Sequence, residues 1–293
     1  MAGPNLHLDS NVGCLFIGTL FSLIFFGCTV AQTTFYYSNY PDDRLALKTL
    51  VAFLTILDVA TLTLDIEYVW VLAVQNHANP AAIEILPRSW IAEFFLASMT
   101  FFIVQLFFIH KIWTLLSGRP YRLLLSLSVG LLSFLSFAGG VGVCSVAAIN
   151  QSFLFILPHE KVPGTVQQIA SVLTDIYITI SLCIILRRSQ ATFKQTQTLL
   201  SKLSTYAINR GMLSATIQLL HYATYVATYH STSFIWMIFH IPGSKVYVNS
   251  LLAMLNVRHN LRDVHSSPAL DGASSIQFIV PEDLDNQIVE RLP

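Results

Sequence analysis

Apolar residues run along this chain in seven long stretches, at about 12–37, 49–75, 89–116, 122–149, 165–187, 206–230 and 233–257. Polar connections divide them. None of the stretches shows the short alternating pattern of barrel strands, so a β-barrel is excluded. About 20 apolar residues rising about 1.5 Å each match a hydrocarbon core of roughly 30 Å, and every stretch is long enough. A backbone amide in lipid has no water to pair with, so each stretch must be helical. The pattern predicts an all-α integral membrane bundle of seven transmembrane helices within residues 12–262. Residues 1–11 form a short extracellular N-terminus, and 263–293, rich in Ser, Pro, Asp and Gly, a disordered cytosolic tail.

Turn residues fall between the stretches. Tyr40-Pro41-Asp42-Asp43 closes the first, Asn79-Pro80 and Pro87 punctuate the second connection, and Gly118-Arg119-Pro120 the third. Pro158 and Pro163-Gly164 mark the fourth, and Pro242-Gly243 should interrupt the last helix and free carbonyls near Lys245. The first stretch is too long for a signal-peptide core and has no basic residue before Arg44, so it reads as a span.

Charge then sets direction. The first, third and fifth connections and the tail carry Arg44 and Lys48; Lys111, Arg119 and Arg122; Arg187, Arg188, Lys194, Lys202 and Arg210; and Arg258, Arg262 and Arg291. The opposite side has Arg88 and Lys161 only. That bias predicts an N-terminus outside and a C-terminus in the cytosol, in a plasma membrane or endomembrane. The Asn150-Gln151-Ser152 sequon then lies outside, which makes Asn150 a possible glycosylation site. The basic segment from Arg187 to Arg210, amphipathic over 189–205, and the tail are the surfaces a cytosolic partner would meet.

Composition agrees. The chain is 54% hydrophobic and only 11% charged, where a soluble domain has about a quarter charged. A net charge of zero gives no reason to expect nucleic acid. Cys14, Cys28, Cys144 and Cys183 show no metal-ligand spacing and read as small packing residues. No cofactor or metal is expected. Gly139, Gly140 and Gly142 permit close helix approach in the fourth span.

Candidate chemistry rests on ionisable side chains within the spans, which are costly in lipid and turn inward toward partners. Asp58 lies roughly 13 Å from the inner edge and Lys245 roughly 12 Å from it, with Asp175 near mid-depth. One cation and two carboxylates can therefore share a layer, with Asn249 one turn beyond Lys245. This polar core, Asp58, Asp175, Lys245, Tyr247 and Asn249, is the candidate ligand site. Asp65, Glu93, His221 and His240 form a second, outer group. A buried ion pair that only sets helix packing is the competing reading.

The last span carries Gly243-x-Lys245-x-Tyr247-x-Asn249-Ser250-Leu251-Leu252-Ala253-x-Leu255-Asn256-x-Arg258. Leu57-Asp58, Asn79-Pro80, Ile112-Trp113, Arg187-Arg188-Ser189 and Tyr206-x-Ile208-Asn209 precede it in order. On these motifs the chain resembles, over about residues 12–262, an uncharacterised seven-helix membrane family of mushroom-forming fungi with only a domain-of-unknown-function label (DUF6534). The resemblance implies a multi-pass membrane protein without assigned activity, and makes Asp58, Lys245, Tyr247 and Asn249 motif positions. The family pattern has a histidine shortly after the span-two aspartate, where this chain has Thr61 and Leu62.

Three functions compete. A receptor or sensor fits seven helices with a basic inner face, although span three ends His110-Lys111-Ile112-Trp113 and span seven lacks Asn-Pro-x-x-Tyr. A small transporter or channel could use the charged layer, but no internal repeat supports it. A structural membrane protein would use the charges for packing alone. No nucleophile or metal set suggests an enzyme.

Overall fold

The computed structural model describes residues 10–76, 79, 82, 84–192, 197–228 and 233–258, the side chains of 188–192 and 197–204 excepted. These residues form seven helices: α1 (Val12–Asn39), α2 (Leu45–Trp70), α3 (Arg88–Leu115), α4 (Arg122–Ile149), α5 (Phe153–Thr192), α6 (Gln197–Thr228) and α7 (Met237–Asn256). A π-helical turn, Val71–Gln75, prolongs α2. Helices α1 to α5 are long and apolar enough to cross a membrane. Large apolar side chains such as Phe16, Leu20 and Ile24 on α1, and Leu124, Leu131 and Phe134 on α4, point outward. An exposed apolar surface of that extent is stable against lipid, not water. Helices α6 and α7 are more polar. Fourteen of the twenty α7 residues are buried, so its polar side chains face neighbouring helices.

The starts of α1 and α7 share one end of the bundle, where Phe234 N donates to Ser10 O at 2.9 Å. At the far end Arg258 pairs with Asp43 at 2.7 Å. Between the ends lie two apolar clusters. One holds Leu54, Leu57, Phe108, Ile178, Tyr247 and Leu251, the other Leu15, Tyr68, Trp90, Phe94, Met237 and Ile241. Along α2 the first cluster stops at Leu57 and the second begins at Tyr68, which leaves Asp58, Thr61 and Asp65 between them. On α7 the gap falls at Ser244 and Lys245. Polar residues occupy the layer that apolar packing omits.

Two expectations about proline are corrected. Pro158 and Pro163 do not break the chain but lie inside α5, so the fourth connection shrinks to the residues between Ile149 and Phe153. Each proline removes one ladder bond, and a neighbouring helix can offset that loss. Here α4 presents glycines to it: a Cβ on Gly139 would stand 2.8 Å from Pro163 O, and one on Gly142 2.9 Å from Pro163 Cβ. Pro242 likewise sits within a continuous α7. It falls in the second turn, flanked by buried Ile241 and Gly243, where packing holds the helix together. Residues 193–196 of the expected amphipathic segment, and the tail from 259, lie outside the described residues.

The α4–α5 contact gives a direct test of close packing. A Gly139 side chain would also meet Gln167 N at 2.8 Å, and backbone atoms cannot swing away. Gly139→Ala is expected to destabilise the protein by about 1–3 kcal/mol, as overpacking does. Gly130→Ala on the same helix meets nothing within 4 Å and should not destabilise. Thermal melts of both variants in detergent check the difference.

Candidate functional site

Asp58, Thr61 and Asp65 stand three and seven residues apart, a spacing that lines one stripe of a helix. Lys245 of α7 enters that stripe fully buried. Its Nζ lies 3.6 Å from Asp58 Oδ1 and 3.8 Å from Asp65 Oδ2, and it donates to Thr61 Oγ1. Thr61 passes a hydrogen bond on to Leu57 O at 3.0 Å. Both Asp58 oxygens and Asp65 Oδ2 have no hydrogen-bond donor among the described residues. The ammonium is shared at long range between two carboxylates.

Of the second group, Glu93 and His240 lie together, with His240 Nε2 3.1 Å from Glu93 Oε2. His240 stacks on Phe94, and His221 lies 5.2 Å from it, ring to ring. His221 Nδ1 in turn contacts Gln168 Nε2 at 2.9 Å. Asp65 leaves this group for Lys245, because α2 presents it on the same stripe as Asp58.

Asp175 is not a partner of Lys245. Its Oδ1 accepts from Arg210 Nη2 at 3.2 Å, and its Oδ2 accepts from the Tyr247 hydroxyl. Gln218 Nε2 donates to Tyr247 OH and to Ser171 Oγ, both at 2.9 Å. Gln105 reaches Asp175 at 3.4 Å and accepts from Ser133 at 2.8 Å. One network thus joins α3, α4, α5, α6 and α7. Arg210 was expected to be a basic residue of the cytosolic connection, yet it is buried. The signal for it was present in the sequence: Arg210, Ser214, Gln218 and His221 recur at helical spacing and form one polar stripe on α6.

Asn249 is not part of either charged group. Its amide donates to Phe25 O, Thr29 Oγ1 and Lys245 O at 2.9, 3.0 and 2.9 Å, and its oxygen accepts from Gln32 at 3.1 Å. It clamps α1 to α7. Asn150 stands exposed at the end of α4, its Oδ1 accepting from Ser152 N at 2.9 Å. A small cavity of about 10 Å³ lies beside Gln218, His221, His240 and Tyr247, room for about one water. The described cavities do not reach Lys245.

A family model described as a family of unknown function (DUF6534) matches residues 171–260. The matched stretch takes in Asp175, Arg210, Tyr247, Lys245 and Asn249, and over it the chain is similar to that family. The motifs around Asp58 lie outside it. No curated protein and no solved structure matches the chain.

Proposed function

We propose that the chain is a seven-helix integral membrane protein, N-terminus outside and C-terminus cytosolic, acting as a receptor or sensor in which α7 is the moving element. One observation carries the reading. Buried polar contacts tie α7 to α1, α2, α3, α5 and α6 through Asn249, Lys245, His240 and Tyr247, while carboxylate oxygens of Asp58, Asp65 and Glu93 have no donor within 3.5 Å among the described residues. Well-packed apolar residues stabilise a core at least as well as buried ion pairs do. Contacts that are numerous but under-satisfied are those a helix can exchange for others at little cost, as a two-state element requires. The basic bias of the sequence supports the orientation, with a cytosolic partner reading residues 187–210 and the tail.

A small transporter is the second reading. Its support is the surplus of carboxylates, Asp58, Asp65 and Glu93, over the ammonium of Lys245 among the described buried residues. Neither reading gives these groups a catalytic role.

Hydrogen–deuterium exchange on the reconstituted full chain separates a switch from a brace. With Lys245→Met, the receptor reading expects faster exchange concentrated at the Arg258 end of α7 and the adjoining turn of α6. A uniform rise across the bundle would remove that reading. Epitope tags test the orientation: the N-terminal tag should be accessible on intact cells and the C-terminal tag only after permeabilisation.

A further inference from the structure

At the end of the bundle where α1, α3, α5 and α7 begin, a cleft of about 30 Å³ opens between α3, α4, α5, α6 and Trp236, just ahead of α7. We propose that it binds a small primary ammonium ion, held by the carboxylate of Glu160. Glu160 is buried in α5, and its partner is the Tyr225 hydroxyl, 3.4 Å from Oε1. It forms no ion pair with any described residue. A buried carboxylate without a cation is costly, and such groups mark sites of binding or transfer.

The lining supplies what an alkylammonium needs. Gln167 and Gln168 are both more than nine-tenths buried and line the cleft beside Glu160, and each has an amide oxygen that meets no donor among the described residues. With the Glu160 carboxylate they offer three acceptors, matching the three N–H donors of R–NH₃⁺. The rings of Trp90, Phe94, Tyr225 and Trp236 complete the wall, and aromatic faces attract cations. A water needs about 10–15 Å³ by this measure, so the cleft takes roughly two such groups, the size of methylammonium. An anion would face the carboxylate and is excluded.

The cleft adjoins the contacts of α7. Gln168 touches His221 at 2.9 Å, and His221 stacks on Trp236 and lies beside His240. Occupancy would therefore bear on the Glu93–His240 pair. That consequence rests on the receptor reading; the binding does not.

The test uses the purified full chain in nanodiscs, titrated with methylammonium chloride at constant ionic strength and followed by tryptophan fluorescence and calorimetry. The expected result is saturable binding, weakened at least about tenfold by Glu160→Gln, since the charge-assisted bonds are lost. Glu160→Gln retains an acceptor for Tyr225 and should melt like the wild type. Trp236→Phe, which trims one aromatic face, should weaken binding several-fold and serves should Glu160→Gln fail to fold. Absence of saturable binding overturns the proposal, as does equal affinity in Glu160→Gln. Equal affinity for tetramethylammonium, which has no N–H, or for potassium overturns it too. If methylammonium binds through Glu160 yet hydrogen exchange in α7 is unmoved, the site stands and the receptor reading falls. If Lys245→Met redirects exchange as expected but methylammonium does not bind, the reverse holds.

Discussion

Lys245→Met is expected to lower the unfolding free energy by about 3–5 kcal/mol, because removing one partner of a buried pair strands the other. Methionine is unbranched and close to lysine in length, so the cavity contribution is small and the loss reports charge. Two carboxylates are stranded together: Asp58 and Asp65 both face the ammonium, at 3.6 and 3.8 Å. Asp58→Asn alone should cost less, since Asp65 still balances the lysine. Adding Asp58→Asn to Lys245→Met should recover much of the loss, as an unpaired buried charge is the expensive state. A double-mutant cycle from chemical denaturation of the full chain, followed by helical circular dichroism, gives the coupling directly. If Lys245→Met melts like the wild type, the layer is not an ionic one. If the double variant recovers stability and also the wild-type exchange pattern, the charges serve packing alone.

The sequence carried more of the fold than of the site, for physical reasons. Helices α1 to α4 coincide with continuous apolar runs whose ends are marked by turn residues, because lipid imposes one length and one secondary structure on any such run. The start of α5 was hidden. Two prolines read locally as a break, and the Gly139 and Gly142 surface that accommodates Pro163 belongs to another helix. The same misreading concealed Glu160, which counted as a loop residue while the prolines did. Asp58 and Lys245 were legible as one layer, since depth follows from rise per residue and the 58–65 spacing fixes a face. Asp175 pairs with Arg210 instead of Lys245. Depth arithmetic orders residues along the membrane normal but is blind to rotation, and Arg210 looked like one more anchor among the basic residues of its connection.

Arg210 makes the sharpest contrast with those residues, because a true anchor at the interface could be removed almost freely. Arg210→Met is instead expected to destabilise by about 3–5 kcal/mol, leaving Asp175 buried without a cation. The guanidinium also lies 4.1 Å from the Phe108 ring centroid and 5.6 Å from that of Tyr247. Arg210→Lys therefore keeps the charge but loses the planar stack, and should fall between wild type and Arg210→Met. Arg210 Nε and Nη1 have no acceptor among the described residues, so the arginine itself is only partly satisfied. Removing both charges with Arg210→Met and Asp175→Asn should consequently restore most of the stability. The Arg258–Asp43 pair, with side chains 19% and 16% exposed, is the internal comparison. Breaking it with Asp43→Asn should cost less than the Arg210 loss, because the pair is partly open to water, and raising the salt from 0.05 to 1 M should shrink that effect, because a pair in contact with solvent is screened more than a sealed one. The Arg210 effect should persist at high salt, since ions do not enter a buried pair. Denaturation of both variants at the two salt concentrations decides it: an Arg210→Met loss as small and as salt-sensitive as that of Asp43→Asn would return Arg210 to the membrane surface.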